Sequence, residues 1–133
     1  KDAAAYARRT NEVAFPHYVD ADWAAFARRV FTEGPDGAPI LNYDPDIMAP
    51  IRAAGTRALV PGLWPMFGRL ARGRPVLLVR GETSDLLSPA IAAKMRKRAP
   101  KMDYVEVPGV GHAPMLDEPE AKAAIFPFLG EVE

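Results

Sequence analysis

The sequence predicts an α/β fold in which a parallel sheet occupies the second half of the chain. Two short apolar runs without polar alternation, at 75–79 and 104–107, are typical of strands covered on both faces. A helix predicted over 88–98 lies between them, and another predicted over 118–126 follows the second run. Strands that alternate with helices in this way indicate a parallel sheet. We therefore expect residues 73–133 to form the C-terminal portion of an α/β core.

Two parallel strands are too few to make a stable sheet. All-parallel sheets are covered on both faces and need further strands beside them. The chain also begins at Lys1, directly before a predicted helix and without a lead-in segment. We expect the N-terminal half of the sheet to be absent from this chain, so that either a missing N-terminal half or a second copy of the chain completes it.

Residues 1–72 are predicted to form short helices, which we interpret as a helical cap or lid region. The first helix is expected over 3–9. Asp20 is placed to cap a second helix, because apolar residues follow it at helical spacing. These apolar residues are Trp23, Phe26, Ala27, Val30 and Phe31. The turn-forming residues at 34–37 are expected to end this helix.

Prolines and glycines divide the rest of the first half. Asp44 is predicted to cap a helical segment with Pro45 at its first position. Pro50 should interrupt that segment and Gly55 should end it, which predicts two short turns and not one straight helix. A further short helix is expected over 61–71.

The composition excludes several classes of protein. Seventeen basic residues balance seventeen acidic ones, which gives no reason to expect nucleic acid or an anionic membrane as a partner. The chain has no cysteine, so disulfides, thiolate metal sites and cysteine nucleophiles are ruled out. No apolar run approaches the roughly 18 residues of a membrane span. We expect a cytoplasmic protein that needs no cofactor and no metal.

Asp85 is the first candidate for a chemical role, since it lies in the loop that follows the first predicted strand. Functional sites in open α/β sheets lie at the carboxyl ends of the strands. A carboxylate at such a place can orient a histidine and stabilise its protonated form. The alternative is an ordinary loop or capping aspartate.

His112 is the second candidate, because it follows the other predicted strand. Gly109 and Gly111 before it, and Pro114 after it, allow the backbone to turn sharply. A histidine there can act as a general base near neutral pH, and a structural loop histidine is the alternative. Because both strands are predicted to be parallel, Asp85 and His112 should emerge at the same edge of the sheet. Together they form two thirds of a nucleophilic triad.

The two loops resemble the C-terminal part of the α/β-hydrolase superfamily, and in particular its bacterial esterase-like members. The resemblance rests on Gly81-x-x-x-Asp85-x-x-x-Pro89 and on Gly111-His112-x-Pro114-x-x-Glu118-x-Pro119. It is specific over 75–130, while the earlier helices resemble the variable cap of these enzymes. The resemblance implies that Asp85 is the acid of a catalytic triad and that His112 is its general base.

The nucleophile motif of that superfamily is missing from the chain. The motif is Gly-x-Ser-x-Gly, or the same pattern with aspartate in place of serine. Ser84 and Ser88 are the only serines, and neither has glycines at that spacing. Ser88 is expected instead to cap the helix predicted over 88–98. We expect the chain to be a fragment, inactive by itself, of a hydrolase whose serine lies upstream. Such an enzyme would act on a small, mostly apolar substrate with an ester, amide or carbon–carbon bond.

Two other functions remain open. An aspartate nucleophile upstream would make the parent protein an epoxide hydrolase or a haloalkane dehalogenase, and Tyr18 and Tyr43 would suit the cap tyrosines of an epoxide hydrolase. The other alternative is a noncatalytic binding protein that kept the hydrolase shell. The residue at the nucleophile position would separate these functions.

Four aromatic residues are candidates to line an apolar substrate pocket under the cap. They are Trp23, Phe31, Trp64 and Phe67. At helical spacing, core packing is the alternative role. His17 is interpreted as a surface or packing residue, since two histidines so placed make no metal site. Asp117, Glu118 and Glu120 are assigned to the dipole of the last helix in preference to a metal.

Overall fold

The computed structural model describes residues 2–54 and 63–131. The described residues form two compact units, one of residues 2–13 and 17–54 and the other of residues 14–16 and 63–131. Their elements in chain order are α1 (Ala3–Asn11), α2 (Asp20–Val30), β1 (Phe31–Glu33), β2 (Pro39–Leu41), a 3₁₀ turn (Pro45–Met48), α3 (Ala49–Ala54), α4 (Leu63–Leu70), β3 (Leu77–Gly81), α5 (Pro89–Arg98), β4 (Asp103–Val107) and α6 (Pro119–Gly130). Each helix within these ranges is too short or too polar to cross a bilayer.

The first unit is built on the packing of α1 against α2. The carboxylate of Asp2 caps α1 by accepting hydrogen bonds from the backbone N–H groups of Ala4 and Ala5, at 3.0 and 3.1 Å. Ala7 and Trp23 are almost completely buried, with 1% and 2% of their surface exposed. The small alanine lets the two helices approach, and the indole fills the space between neighbouring side chains.

The predicted cap of the second helix is wrong, although the helix itself is confirmed. Val19 is the N-cap residue, and Asp20 is the first residue inside α2. The carboxylate of Asp22 accepts the backbone N–H of Val19 at 2.9 Å. The acidic side chains of Asp20 and Asp22 therefore lie in the first helical turn, where they also complement the positive end of the helix dipole.

An antiparallel hairpin follows α2, and the sequence does not predict it. Phe31, which the apolar pattern assigns to the helix, begins β1 and pairs with Leu41 of β2. The predicted turn at 34–37 is present but connects the two strands, with Gly37 at a φ of 73°. Strands of three residues are too short to show a period of two, so the pattern of apolar residues does not predict them.

The proline-rich segment after the hairpin folds as predicted. Asp44 caps the 3₁₀ turn by accepting the N–H of Asp46 at 2.9 Å. The 3₁₀ turn gives way to α3 at Ala49, one residue before Pro50, so two short turns are confirmed. Gly55, which is predicted to end this segment, lies outside the described residues, as do the first two positions of the helix predicted over 61–71.

The second unit contains the predicted parallel strands with one crossover helix between them. The register runs from Leu77 opposite Asp103 to Gly81 opposite Val107. Ser88 caps α5, as predicted, by accepting the N–H of Ile91 at 3.3 Å. The helix α6 packs against both strands. Parallel strands with flanking helices confirm the predicted fold class.

The core of the second unit is made of smaller residues than the pattern suggests. Val107 is 1% exposed, Ala121 is 0% exposed and Ala92 is 2% exposed. Ile91 of α5 and Phe126 of α6 are 38% and 66% exposed. Each of these two helices therefore buries an alanine and turns a larger apolar side chain outward.

Candidate active site

The loops that follow β3 and β4 are bound to each other at the carboxyl edge of the strands. We call residues 82–87 the acid loop and residues 108–115 the histidine loop. The N–H of Glu82 donates to the carbonyl of Val107 at 2.9 Å, and the N–H of Thr83 donates to Val110 at 3.0 Å. In the opposite direction, the N–H of Gly109 donates to the carboxylate of Glu82 at 2.8 Å. The parallel topology therefore brings the two loops together, as the strand order predicts.

Gly81 permits the close approach of the histidine loop. A Cβ atom at Gly81 would lie 2.9 Å from the carbonyl carbon of Val110, and closer still to the carbonyl oxygens of Val110 and Gly111. Any side chain at this position would therefore push the histidine loop away. The glycine of the sequence motif has a steric role, which the motif alone does not reveal.

Residues 14–16, from the first half of the chain, also contact the histidine loop. The N–H of Gly111 donates to the carbonyl of Ala14 at 2.7 Å. A Cβ atom at Gly111 would lie 2.7 Å from the Cα atom of Ala14, so this contact also requires glycine. Phe15, the next residue, is 5% exposed. Nothing in the sequence predicts this contact, since residues 14–16 lie between two helices and have no periodic pattern.

The side chain of Arg80, which is 2% exposed, binds the backbone of the acid loop. Its Nε donates to the carbonyl of Leu87 at 2.6 Å, and its Nη2 donates to the carbonyl of Glu82 at 3.0 Å. Its Nη1 forms an ion pair with the carboxylate of Glu106 on β4. Within the loop, the hydroxyl of Ser84 accepts the N–H of Leu87 at 3.0 Å.

Glu106 is kept ionised beside this buried guanidinium. The hydroxyl of Tyr104 donates to the Glu106 carboxylate at 2.7 Å. This hydrogen bond holds the pKa of Glu106 below its usual value, with help from Arg80 and against partial desolvation. Burial, and then the hydrogen bond to Glu106, raise the pKa of Tyr104. The carboxylate of Glu106 therefore stays ionised, and balances the charge of Arg80, to a lower pH than an ordinary glutamate would.

Asp85 and His112 both lie on exposed stretches of their loops. Within residues 2–54 and 63–131, neither side chain forms a hydrogen bond or an ion pair with a described partner. Catalytic hydrogen bonds are often long without substrate and tighten only in the complex. A carboxylate and an imidazole on two joined loops can act as the orienting acid and the general base of acyl transfer. The roles of Asp85 and His112 stay predictions.

Two of the four aromatic candidates lie in the first unit. Trp23 is packed between Tyr18 and Phe26, with ring centroids 5.1 and 5.8 Å away. Phe31 makes an edge contact with Tyr6 at 5.9 Å and lines a cavity of about 410 Å³. The buried indole of Trp23 is thus occupied by core packing, while Phe31 borders open space.

The other two aromatic candidates lie on α4 in the second unit. The ring of Trp64 contacts two cations, with the Lys94 ammonium 4.2 Å and the Arg98 guanidinium 4.8 Å from its centroid, and it lines a cavity of about 900 Å³. Phe67 is half-buried. A substrate-binding role for any of the four stays a prediction. Over the described part of the chain, no group of His, Asp and Glu side chains could hold a metal ion.

Comparison with known proteins places the chain in a family. A sequence profile of the alpha/beta hydrolase family matches residues 2–125. The chain is 35% identical over 125 residues to a 3-hydroxybutyrate-oligomer hydrolase of Cupriavidus necator, a match that covers 90% of this chain and 42% of that protein.

Solved structures agree with the sequence match. An alpha/beta hydrolase from Novosphingobium aromaticivorans has a TM-score of 0.82 at 40% identity, over 96% of this chain and 44% of that one. E-2-(acetamidomethylene)succinate hydrolase shares the fold at 24% identity, with a TM-score of 0.59 over 97% of this chain and 44% of that one. The chain thus spans less than half the length of these relatives. From its parallel strands, its two joined loops and these matches, the chain belongs to the alpha/beta hydrolase family.

Proposed function

We propose that this chain contributes the acid and the general base of a hydrolase that acts on a small, mostly apolar substrate. The bond cleaved is an ester, an amide or a carbon–carbon bond. The observation that carries the proposal is the direct packing of the histidine loop on Gly81, at the point where β3 gives way to the acid loop. Two loops held this closely can keep Asp85 and His112 in a fixed relation.

In the proposed mechanism, His112 takes the proton of the nucleophile as it attacks the substrate carbonyl carbon. The imidazolium then gives this proton to the leaving group, and in the second half-reaction His112 activates water to release the acyl group. Asp85 orients the imidazole in the required tautomer and stabilises its cation. No step in this sequence requires a metal or a cofactor.

The nucleophile of the proposed enzyme lies in polypeptide outside residues 1–133. Ser84 is 8% exposed and its hydroxyl is engaged with Leu87, while Ser88 caps α5. Neither serine sits on the sharp turn between a strand and a helix that exposes a family nucleophile. A preceding half of the sheet would supply that nucleophile, whereas a second copy of the chain could complete the sheet but would bring only the same two serines. The 133 residues alone would not turn over substrate.

Among the three bond types, an ester is favoured. The Cupriavidus necator relative acts on a 3-hydroxybutyrate oligomer, and a hydroxy acid that condenses with itself forms an ester. The cavity that Trp64 borders is lined by five basic side chains and by residues that precede β3 and β4, at the edge of the strands opposite the two joined loops, so an apolar pocket for the acyl group lies elsewhere.

The test is hydrolysis of a short-chain aryl ester by the full-length polypeptide that contains these residues. His112→Ala and Asp85→Asn should each lower kcat by about 10³-fold or more, the scale expected for the loss of a triad member. Two exposed residues of the same types provide matched controls, His17→Ala and Asp103→Asn, which should keep the wild-type rate. Wild-type kcat in His112→Ala would refute the proposal.

A further inference from the structure

Arg80 is a buried cation that is bound to both ends of the acid loop. Its guanidinium contacts the carbonyl of Glu82, three residues before Asp85, and the carbonyl of Leu87, two residues after it. The third contact is the ion pair with Glu106, which lies directly opposite Arg80 in the strand register. A single planar group therefore ties the loop that bears Asp85 to the strand that leads to the histidine loop.

This arrangement resists opening of the acid loop. Arginine is almost never fully buried unless its charge is paired and its N–H groups are bonded. Moving Glu82 or Leu87 away would leave a buried guanidinium N–H without its acceptor, which is strongly unfavourable. The loop is braced from within as well, since Ser84 accepts the N–H of Leu87.

We propose that Arg80 is a positioning residue, which fixes Asp85 relative to His112 by holding both ends of the acid loop. The inference rests on the proposed role of Asp85 as the triad acid. Among the described residues, Arg80 forms no hydrogen bond or ion pair with Asp85 or His112, and it acts through the backbone of the loop. A lysine cannot replace it, because an ammonium lacks the planar fork that reaches Glu82, Leu87 and Glu106 at once.

The test is a double-mutant cycle on the full-length protein, with kcat and KM measured for aryl-ester hydrolysis. Arg80→Lys and Arg80→Met should each lower kcat by roughly 10- to 100-fold and leave KM within about twofold, because a misplacement of about 1 Å costs on this scale. In the Asp85→Asn background the same substitutions should have no further effect on kcat. Arg72→Met, at an exposed arginine after α4, is the matched control and should match the wild type.

Several outcomes would overturn the inference. Equal losses of kcat from Arg80→Lys in the wild-type and Asp85→Asn backgrounds would mean that Arg80 acts on the fold and not through Asp85. Wild-type kcat in Arg80→Lys would mean that the guanidinium is not needed. If Arg80→Met does not fold, Ser84→Ala removes the hydrogen bond inside the same loop and should lower kcat in the wild-type background only.

The failure of the inference and the failure of the proposed function are distinguishable. If Asp85→Asn lowers kcat but Arg80→Lys does not, only the positioning role is wrong. If Asp85→Asn keeps the wild-type kcat, the triad assignment is wrong, and the role of Arg80 falls with it.

Discussion

Replacement of Gly81 by alanine tests the packing of the two loops most specifically. Gly81 has an ordinary backbone conformation, so alanine introduces no φ strain and the whole effect comes from the added Cβ. That atom would lie 2.9 Å from the carbonyl carbon of Val110, whereas carbon atoms prefer about 3.5–4.0 Å. The histidine loop must therefore move by about 1 Å.

Two magnitudes follow for Gly81→Ala. A shift of about 1 Å in the loop that bears His112 should lower kcat/KM for aryl-ester hydrolysis by about 100-fold. Overpacking of this kind should also lower the free energy of unfolding by about 1–3 kcal/mol. The activity is measured on the full-length protein, well below its thermal midpoint, and stability by denaturant titration, so that the two effects can be separated.

Gly68→Ala is the matched control for Gly81→Ala. Outside the backbone of its own helix, no atom of the described residues lies within 4 Å of a Cβ at Gly68, and alanine is preferred to glycine in a helix by about 1 kcal/mol. This variant should be as active as the wild type and at least as stable. If Gly81→Ala also keeps the wild-type activity and stability, the histidine loop does not rest on Gly81 and the geometry described for the site is wrong.

Three further predictions concern the surroundings of the site. Gly111→Ala should lower both activity and stability, because its Cβ would lie 2.7 Å from the Cα atom of Ala14. Gly130→Ala should change neither, since a Cβ there meets no described residue outside its own helix within 4 Å; equal effects of the two variants would contradict the contact between Gly111 and Ala14. Val107→Ala should lower the free energy of unfolding by about 2 kcal/mol, since Val107 is 1% exposed. Val13 is 91% exposed, so Val13→Ala should change the free energy of unfolding by less than about 0.5 kcal/mol. The pKa of Glu106 is lower in the folded protein than its ordinary value of 4.5. Ionised Glu106 therefore stabilises the fold fully above pH 4.5, and this stabilisation disappears as the pH falls through the pKa of Glu106 in the folded protein. The loss of unfolding free energy in Glu106→Gln should therefore be constant from pH 7 to about 5 and shrink below it in urea titrations; a loss that grows in acid would refute the assignment.

The sequence predicts the parts of this fold that depend on periodic apolar patterns or on interactions between neighbours in the chain. The runs at 75–79 and 104–107 predict β3 (Leu77–Gly81) and β4 (Asp103–Val107) to within two residues, because short apolar runs without alternation are typical of strands buried on both faces. Ser88 and Asp44 are found as helix caps because their side chains act on their own neighbours in the chain. The order of strand, helix and strand then places Asp85 and His112 at one edge, before any distance is known.

The rest depends on contacts between residues far apart in the chain. The steric need for glycine at 81 arises from a loop nearly thirty positions later, and the support of Gly111 arises from Ala14. The network of Arg80 joins a strand residue to two loop carbonyls and a carboxylate on the neighbouring strand. In the sequence, Arg80 is only a charged residue that interrupts an apolar run, and no local pattern reveals its burial.

The most direct test of the proposed triad is to locate the nucleophile from which His112 takes the proton. The full-length polypeptide is treated with a fluorophosphonate, which forms a covalent adduct with an activated serine, and the adduct is mapped by mass spectrometry. We expect an adduct on a serine outside residues 1–133, formed at a rate that falls steeply in His112→Ala and is unchanged in His17→Ala. An adduct on Ser84 or Ser88, or labelling that is as fast in His112→Ala as in the wild type, would contradict the proposed triad.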